Sequence, residues 1–505
     1  MSLKKNVAAN FAGQGWAALM SLAFVPLYIK YLGVEAYGLI GIFGLLQAWL
    51  TLLDMGMTPA LSREMARFTS GAHSAQSIRD LLRSVEIFCC CVAVCVCLLV
   101  WALSQWLAAN WLIVEKIPLE SVASAFTIMG CVTALRAIED IYRSSLVGLQ
   151  RQVALNLVIS VMATVRGLGA VFVLIWVAPT IDAFFVWQLA VSVVSAAAMA
   201  AVLYSGIPTG TGAARPSMRA LATIWRFAGG VMVITLLSFL LMQLDKILLT
   251  RLLTLENFGY YSIAVMLSSV LYMMVGPFDS AFFPRFTAQV ALDDRDVLTR
   301  TYHLGAQLIT VCVGSSAIVL IVFGGELLLL WTGNPELANR LAPLLSVLAL
   351  GTLLNCFMHM PYQLQLAHGW TRLSIYVNML AVSLLVPAIF WVAPRYGAIG
   401  VAWIWVALNI MYLFISIHFM FRRLLSAEKW RWYFYDVIVP TTAASLVAVV
   451  LRYAFPANSS GAMLLLTLGV AFFSVLTVSA LCARLVREQL CLLGHVCLLK
   501  FRNFS

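Results

Sequence analysis

The first candidates for chemistry in this chain are charged side chains standing inside long apolar stretches. Residues 135–146 read LRAIEDIYRSSL, between the apolar runs 122–131 and 153–165. At about 100° per residue, Arg136, Glu139, Asp140 and Arg143 fall within an arc of about 100°, one stripe of a helix. Arg136 to Asp140 and Glu139 to Arg143 have the i,i+4 spacing at which opposite charges pair. A charge at the middle of a hydrocarbon-embedded helix costs about 2.5 to 3.5 kcal/mol, so four facing lipid would cost on the order of 10 kcal/mol. They are expected to face protein or water. Two readings stay open. The stripe is locally neutral and can act as an internal salt-bridge ladder that keeps a cavity wet. If Arg166, near the middle of the next apolar segment, joins it, the cluster becomes net positive and suits an anion such as a diphosphate.

Other polar residues in apolar surroundings are candidates for coupling or gating. Asp54 and Asp279 lie near helix ends, where a solvated position or a helix-to-helix hydrogen bond is the plainer reading. Asp245 and Lys246 are adjacent and point about 100° apart. Lys246 is expected to snorkel toward the interface, and Asp245, with Gln243 nearby, is a candidate for cation or proton coupling. His359 titrates in the physiological range when unperturbed; with Asn355 and Gln363 one turn either side it also reads as a hydrogen-bonded packing residue. The stretch DDRD at 293–296 has a metal-binding Asp-x-Asp spacing, yet its place before an apolar segment reads as a helix N-cap. Five cysteines, Cys89, Cys90, Cys91, Cys95 and Cys97, sit within one apolar span with no nearby histidine and read as small packing residues. No metal and no cofactor are expected.

Composition fixes what must position these residues. The 505 residues are 63% hydrophobic and 10% charged, against about 25% charged in soluble domains. Mean hydropathy is +0.96. An all-α polytopic membrane protein follows, with some fourteen spans of about 20 apolar residues each. Their centres lie near residues 20, 47, 96, 130, 165, 193, 238, 271, 313, 354, 384, 410, 445 and 473. Alternate loops hold 22 Lys and Arg against six on the other side, so both termini are expected in the cytoplasm. The formal charge of +11 is a topology signal, and nucleic acid is not expected as a partner. The apolar run after Lys4 and Lys5 is interrupted by Asn10, Gln14 and Gly15 and shows no convincing cleavage site, so it reads as a retained first helix. In the tail, 485–505, apolar positions with flanking Arg487, Lys500 and Arg502 fit either an interfacial amphipathic helix or an extension of the last span.

An internal repeat organises the spans. KYLGVEAYG at 30–38 returns as RLLTLENFG at 251–259, matching Lys30 to Arg251, Glu35 to Glu256, Tyr37 to Phe258 and Gly38 to Gly259 at an offset of 221. The expected architecture is two six-helix bundles related by pseudo-two-fold symmetry, 1–212 and 213–426, with an extra helix pair and tail at 427–505.

The stretch from Asn10 to Arg67 is similar to the opening of the polysaccharide transporter family, the Wzx-type lipid-linked oligosaccharide flippases of the multidrug/oligosaccharidyl-lipid/polysaccharide exporter superfamily. Pro26, Tyr28, Leu32-Gly33, Tyr37-Gly38, Asp54, Gly56 and Arg63 carry the likeness, and 244–264 resembles the start of that family's second lobe. The final helix pair departs from the commoner twelve-helix layout; lipid II flippases of the same superfamily have such a pair. The resemblance implies a flippase of the bacterial inner membrane that moves an undecaprenyl-diphosphate-linked sugar between leaflets by alternating access. Its implied partners are the lipid-linked oligosaccharide, membrane lipids and a polysaccharide polymerase or chain-length machinery. A cation-coupled multidrug exporter of the same superfamily and a membrane-embedded polymerase or transferase are the alternatives. Catalysis is not expected, because the chain has no GxxxxGK[ST] or HExxH motif and no external loop long enough for a catalytic domain.

Overall fold

The computed structural model describes residues 3–53, 57–69, 73–208, 212, 214–216, 239, 243–370, 372–454 and 461–491. The described residues are almost entirely helical. In chain order the helices are α1 (Leu3–Ala23), α2 (Val25–Leu53), α3 (Met57–Thr69), α4 (Ala75–Trp106), α5 (Leu119–Gly148), α6 (Gln152–Trp176) and α7 (Ile181–Tyr204). They continue with α8 (243–252) and α9 (Leu255–Ala291). After these come α10 (Arg295–Val322), α11 (Pro335–Ala367), α12 (Arg372–Arg423), α13 (Lys429–Ala454) and α14 (Ala462–Cys482).

Eleven helices among the described residues are long and apolar enough to span a bilayer. Two backbone breaks bring this toward the expected fourteen. Gly397 (φ 61) divides α12 into two spans, and Gly33 (φ 83) divides α2, so that its first turns continue α1 and its remainder forms the second span. Only glycine takes a positive φ there without strain. Most of the expected seventh span lies outside the described residues, as does Asp54.

Helix starts follow local chemistry. Ser74 caps α4 by accepting from Ser77 N–H, and Thr180 caps α7 by accepting from Ala183 N–H. Asn334 with Pro335 opens α11, and the DDRD stretch supplies Asp294 as the cap before Arg295, accepting from Val297 N–H. Each side-chain oxygen satisfies one of the free N–H groups of a first turn.

The chain divides into two compact units, Met1–Gly259 and Tyr260–Ser505. In the first, α5 packs against α4 and α7, α6 against α1 and α7, and the short α3 lies on α5. Met57, Leu61 and Met65 of α3 join Ile78, Leu82, Ile141 and Met199 in one core.

In the first unit the two copies of the repeat meet. A Cβ on Gly38 would overlap the Leu255 carbonyl oxygen, and a Cβ on Gly259 would overlap that of Val34. The contact is reciprocal at the same offset of 221, the signature of a local two-fold relation. Glu35 and Glu256 hold matching positions, each in a first helical turn, where negative charge is favoured. Glu35 accepts the backbone N–H groups of Glu115 and Lys116 at 2.6 and 2.9 Å. Glu256 hydrogen-bonds the Lys116 ammonium, and that bond and its charge raise the lysine above its ordinary pKa. Gly259→Ala should lower stability by about 1–3 kcal/mol, because a methyl group there meets backbone. An unchanged thermal midpoint in detergent would contradict this close approach.

In the second unit the extra pair is built onto α10. Ile318, Val319 and Phe323 share a core with Ala444 and Ala448 of α13 and Leu464, Leu468, Ala471 and Val475 of α14. Arg452 at the end of α13 pairs with Glu326. Beyond α14 the chain turns at Ala483 (ψ 100) into a further short helix, 484–491, with Leu485 and Val486 buried. Val486 packs with Val311 of α10. The start of the tail therefore packs on α10, where the Leu485 N–H also donates to Gln307 Oε1. The remainder of the tail lies outside the described residues.

Candidate functional site

The charged stripe is formed by four helices of the first unit. Arg136, on α5, donates to Gln47 Oε1 of α2 at 2.7 Å and lies over the Phe43 ring at 5.1 Å. Gln47 in turn donates to Thr133 Oγ1 at 3.2 Å. Glu139 accepts from Ser195 of α7 at 2.8 Å. Arg143 and Asp140 approach to 4.0 Å at i,i+3 spacing, with both side chains more than two-fifths exposed. The i,i+4 ladder along α5 is therefore replaced by bonds across helices. Burial explains the exchange: α5 packs between α2 and α7, and their polar groups reach its charged stripe from the sides.

Arg166, on α6, does join the cluster. Arg136 lies in the fields of Arg166, Glu139 and Asp140, and Arg166 in those of Glu139 and Tyr28. Tyr28 itself reaches the Gly167 carbonyl. Three arginines against two acids leave the cluster one positive charge in excess. The Nε atoms of both Arg136 and Arg166 are buried without a hydrogen-bond partner among the described residues. A guanidinium carries five donors in a fixed plane, so these two present donors in a partly buried, positive setting, the arrangement that recognises phosphate or carboxylate oxygens bidentately.

Sequence reading missed Gln47, Thr133 and Ser195 as members of the site. Gln47 had a readable signal, a polar side chain inside an apolar span; the two hydroxyl residues had none, since Thr and Ser are common in membrane helices.

The coupling candidates separate. Asp279 and His359, 80 residues apart, form one pair in the second unit at 2.9 Å. The Asp279 Oδ1 atom is buried and has no partner among the described residues. His359 is thus neither lone nor served by its own helix, for Asn355 donates instead to Asn409. The helix-to-helix bond expected for Asp279 is this one. On α8, Lys246 donates to Gln243 Oε1 at 3.0 Å, and Asp245 is half-buried beside it. A double-mutant cycle with Asp279→Asn and His359→Ala should return a coupling of about 1.5–3 kcal/mol in thermal unfolding, the range for a hydrogen bond to a charged group. A coupling near zero would mean that the two side chains do not pair.

With this geometry, comparison with known proteins is informative about class and then about family. The fold is that of transporters of the multidrug/oligosaccharidyl-lipid/polysaccharide superfamily. The lipid II flippase MurJ, in an inward closed conformation, aligns with a TM-score of 0.69 at 12% identity, covering 95% of this chain and 98% of that one. A multidrug resistance MATE family transporter in an inward-facing conformation aligns with a TM-score of 0.67 at 14% identity, covering 82% and 96%. The model of the polysaccharide biosynthesis protein family matches residues 3–289, and a second model, MatE, matches 231–392. The chain belongs to the polysaccharide biosynthesis protein family. A Shigella flexneri protein described as "Putative O-antigen transporter" is 18% identical over 430 residues, 85% of this chain and the whole of that protein. The protein is a multi-pass membrane protein.

Proposed function

We propose that this protein is a flippase that carries an undecaprenyl-diphosphate-linked oligosaccharide across the bacterial inner membrane by alternating access, driven by an ion gradient. The observation that carries the reading is the positive cluster of Arg136, Arg143 and Arg166 in the first unit, in which Gln47 holds Arg136 and Asp140 stands 4.0 Å from Arg143. Charge-assisted hydrogen bonds of about 1.5–3 kcal/mol each would draw in a diphosphate or acidic sugar, and a shift in helix packing would weaken them for release. The names of the similar proteins support a lipid-linked or O-antigen substrate. The candidates for ion coupling are the Asp279–His359 pair, Asp245 with Lys246, and Asp54, and both termini are assigned to the cytoplasm on the distribution of Lys and Arg.

The lobes of the proposed cycle are 1–212 and 213–426, with 427–505 as an added pair. In this reading α13 and α14, seated on α10, offer the long polyprenyl chain a groove outside the headgroup site. The MatE match favours a second reading, a cation-coupled drug exporter. Three arginines against two acids in the α5–α6 cluster are the wrong polarity for a cationic drug. The deciding experiment is to delete the gene, then compare surface polysaccharide and sensitivity to cationic drugs with and without the chain restored. Loss of polysaccharide that the restored chain repairs supports the flippase; an unchanged polysaccharide with raised drug sensitivity supports the exporter.

A further inference from the structure

We propose that the second unit holds a bound proton shared by buried His303 and Asp436 and the partly exposed Glu428, at the point where the last two spans are fastened to α10. His303 on α10 is fully buried, as is Asp436 on α13. Both imidazole nitrogens face carboxylates: Nδ1 meets Asp436 Oδ2, and Nε2 meets Glu428 Oε2 at 2.9 Å. A neutral imidazole has one N–H donor and one acceptor nitrogen, whereas an ionised carboxylate only accepts. Neutral His303 between two ionised carboxylates would therefore set a nitrogen lone pair against an oxygen lone pair. One added proton removes the clash, either as imidazolium donating to both acids or as a carboxylic acid donating to the ring.

The surroundings demand the same proton. The second oxygen of Asp436 accepts from Gln307 Nε2 at 2.7 Å, and Gln307 Oε1 accepts from the Leu485 N–H at 2.8 Å. Arg431, half-exposed, lies 3.3 Å from Glu428 and adds a fixed positive charge to the cluster, while Lys429 and Arg300 on the same elements are engaged by His418 and Glu488. The other titratable groups at hand are Tyr302, whose ring meets His303 edge-on at 5.5 Å, and Tyr433, which faces Tyr302 electrostatically. With His303 neutral, Asp436, Glu428 and Arg431 total one negative charge around a fully buried centre; with the proton the total is zero. Burial of uncompensated charge is costly, so the folded state binds the proton. The same bonds link α10, the start of α13 and the turn after α14, and loss of the proton therefore loosens the attachment of the final pair. This site stands on its own geometry, whichever substrate the protein carries.

The test uses the full chain in nanodiscs, with histidine labelled by ¹⁵N at both ring positions and His303→Gln to assign the His303 signals. Near neutral pH, wild type should show both ring nitrogens protonated, or one neutral ring with a carboxylic-acid C=O stretch in the infrared that Asp436→Asn or Glu428→Gln removes. Asp436→Asn is the discriminating variant. The side-chain amide it introduces can donate to Nδ1 while the amide oxygen still accepts from Gln307, so neutral His303 can donate through Nε2 to Glu428 and no extra proton is needed. Linkage sets the sign: a proton held by the folded state stabilises most on the acid side, and that stability is lost as pH rises. As pH rises, the thermal midpoint of wild type should fall, and that of Asp436→Asn should stay nearly level. A neutral His303 ring without a carboxylic-acid band in wild type, or an equal pH slope in the two proteins, would overturn the proposal.

Discussion

Arg166→Glu is expected to abolish export of the surface polysaccharide in a strain that depends on this chain, at normal expression and membrane insertion. Arg166 is half-buried on α6 within the fields of Glu139 and Tyr28, and its Nε has no partner among the described residues. A glutamate there would turn the cluster from three cations and two anions to two cations and three anions, repelling an anionic headgroup and leaving Glu139 beside another acid. Arg166→Ala should cost on the order of 10- to 100-fold in transport rate, the equivalent of one charge-assisted bond. Arg166→Lys should fall between wild type and Ala, because it keeps the charge and loses the planar fork. Full export by Arg166→Glu would reduce the cluster to a structural device.

Ending the chain before Asp436 is the second large effect, with loss of transport as the expected result. The truncation strips Ile318, Val319 and Phe323 of their partners on α13 and α14 and leaves buried His303 without one of its two acids. Lipid tails can cover the apolar face at little cost, since hydrocarbon is as apolar as the missing side chains. They cannot hydrogen-bond His303 or Gln307. The shortened protein is therefore expected to insert and remain helical while working poorly. Full activity of a truncated chain would exclude an essential polyprenyl groove.

Much of this protein was legible in its residues taken in order. Hydrophobic run length decides membrane spans, because every backbone group in hydrocarbon must be bonded within its own helix. Fourteen spans follow from that rule; among the described residues eleven helices are long and apolar enough, and Gly33 and Gly397 turn the chain within what is otherwise continuous helix. The repeat at 30–38 and 251–259 was visible as letters, and so was the charged stripe of α5, since both are periodic or local patterns. DDRD as a helix cap was equally readable, for a cap acts within three residues.

What required the tertiary structure is every partner chosen from another helix. Arg136 binds Gln47 and Glu139 binds Ser195 instead of their i,i+4 neighbours, because packed helices bring competing donors and acceptors to the same stripe. Asp279 and His359 appeared as two separate candidates until the second unit set them 2.9 Å apart. His303, Gln307 and Asp436 could each be read as a polar residue in or beside a span, but nothing in order showed that they meet: 303 and 436 are separated by 133 residues. Burial alone made them a site. A helix's own hydrogen bonds and apolar length are local properties of sequence, whereas the pairing of polar side chains inside a membrane depends on which helices meet, and at what rotation.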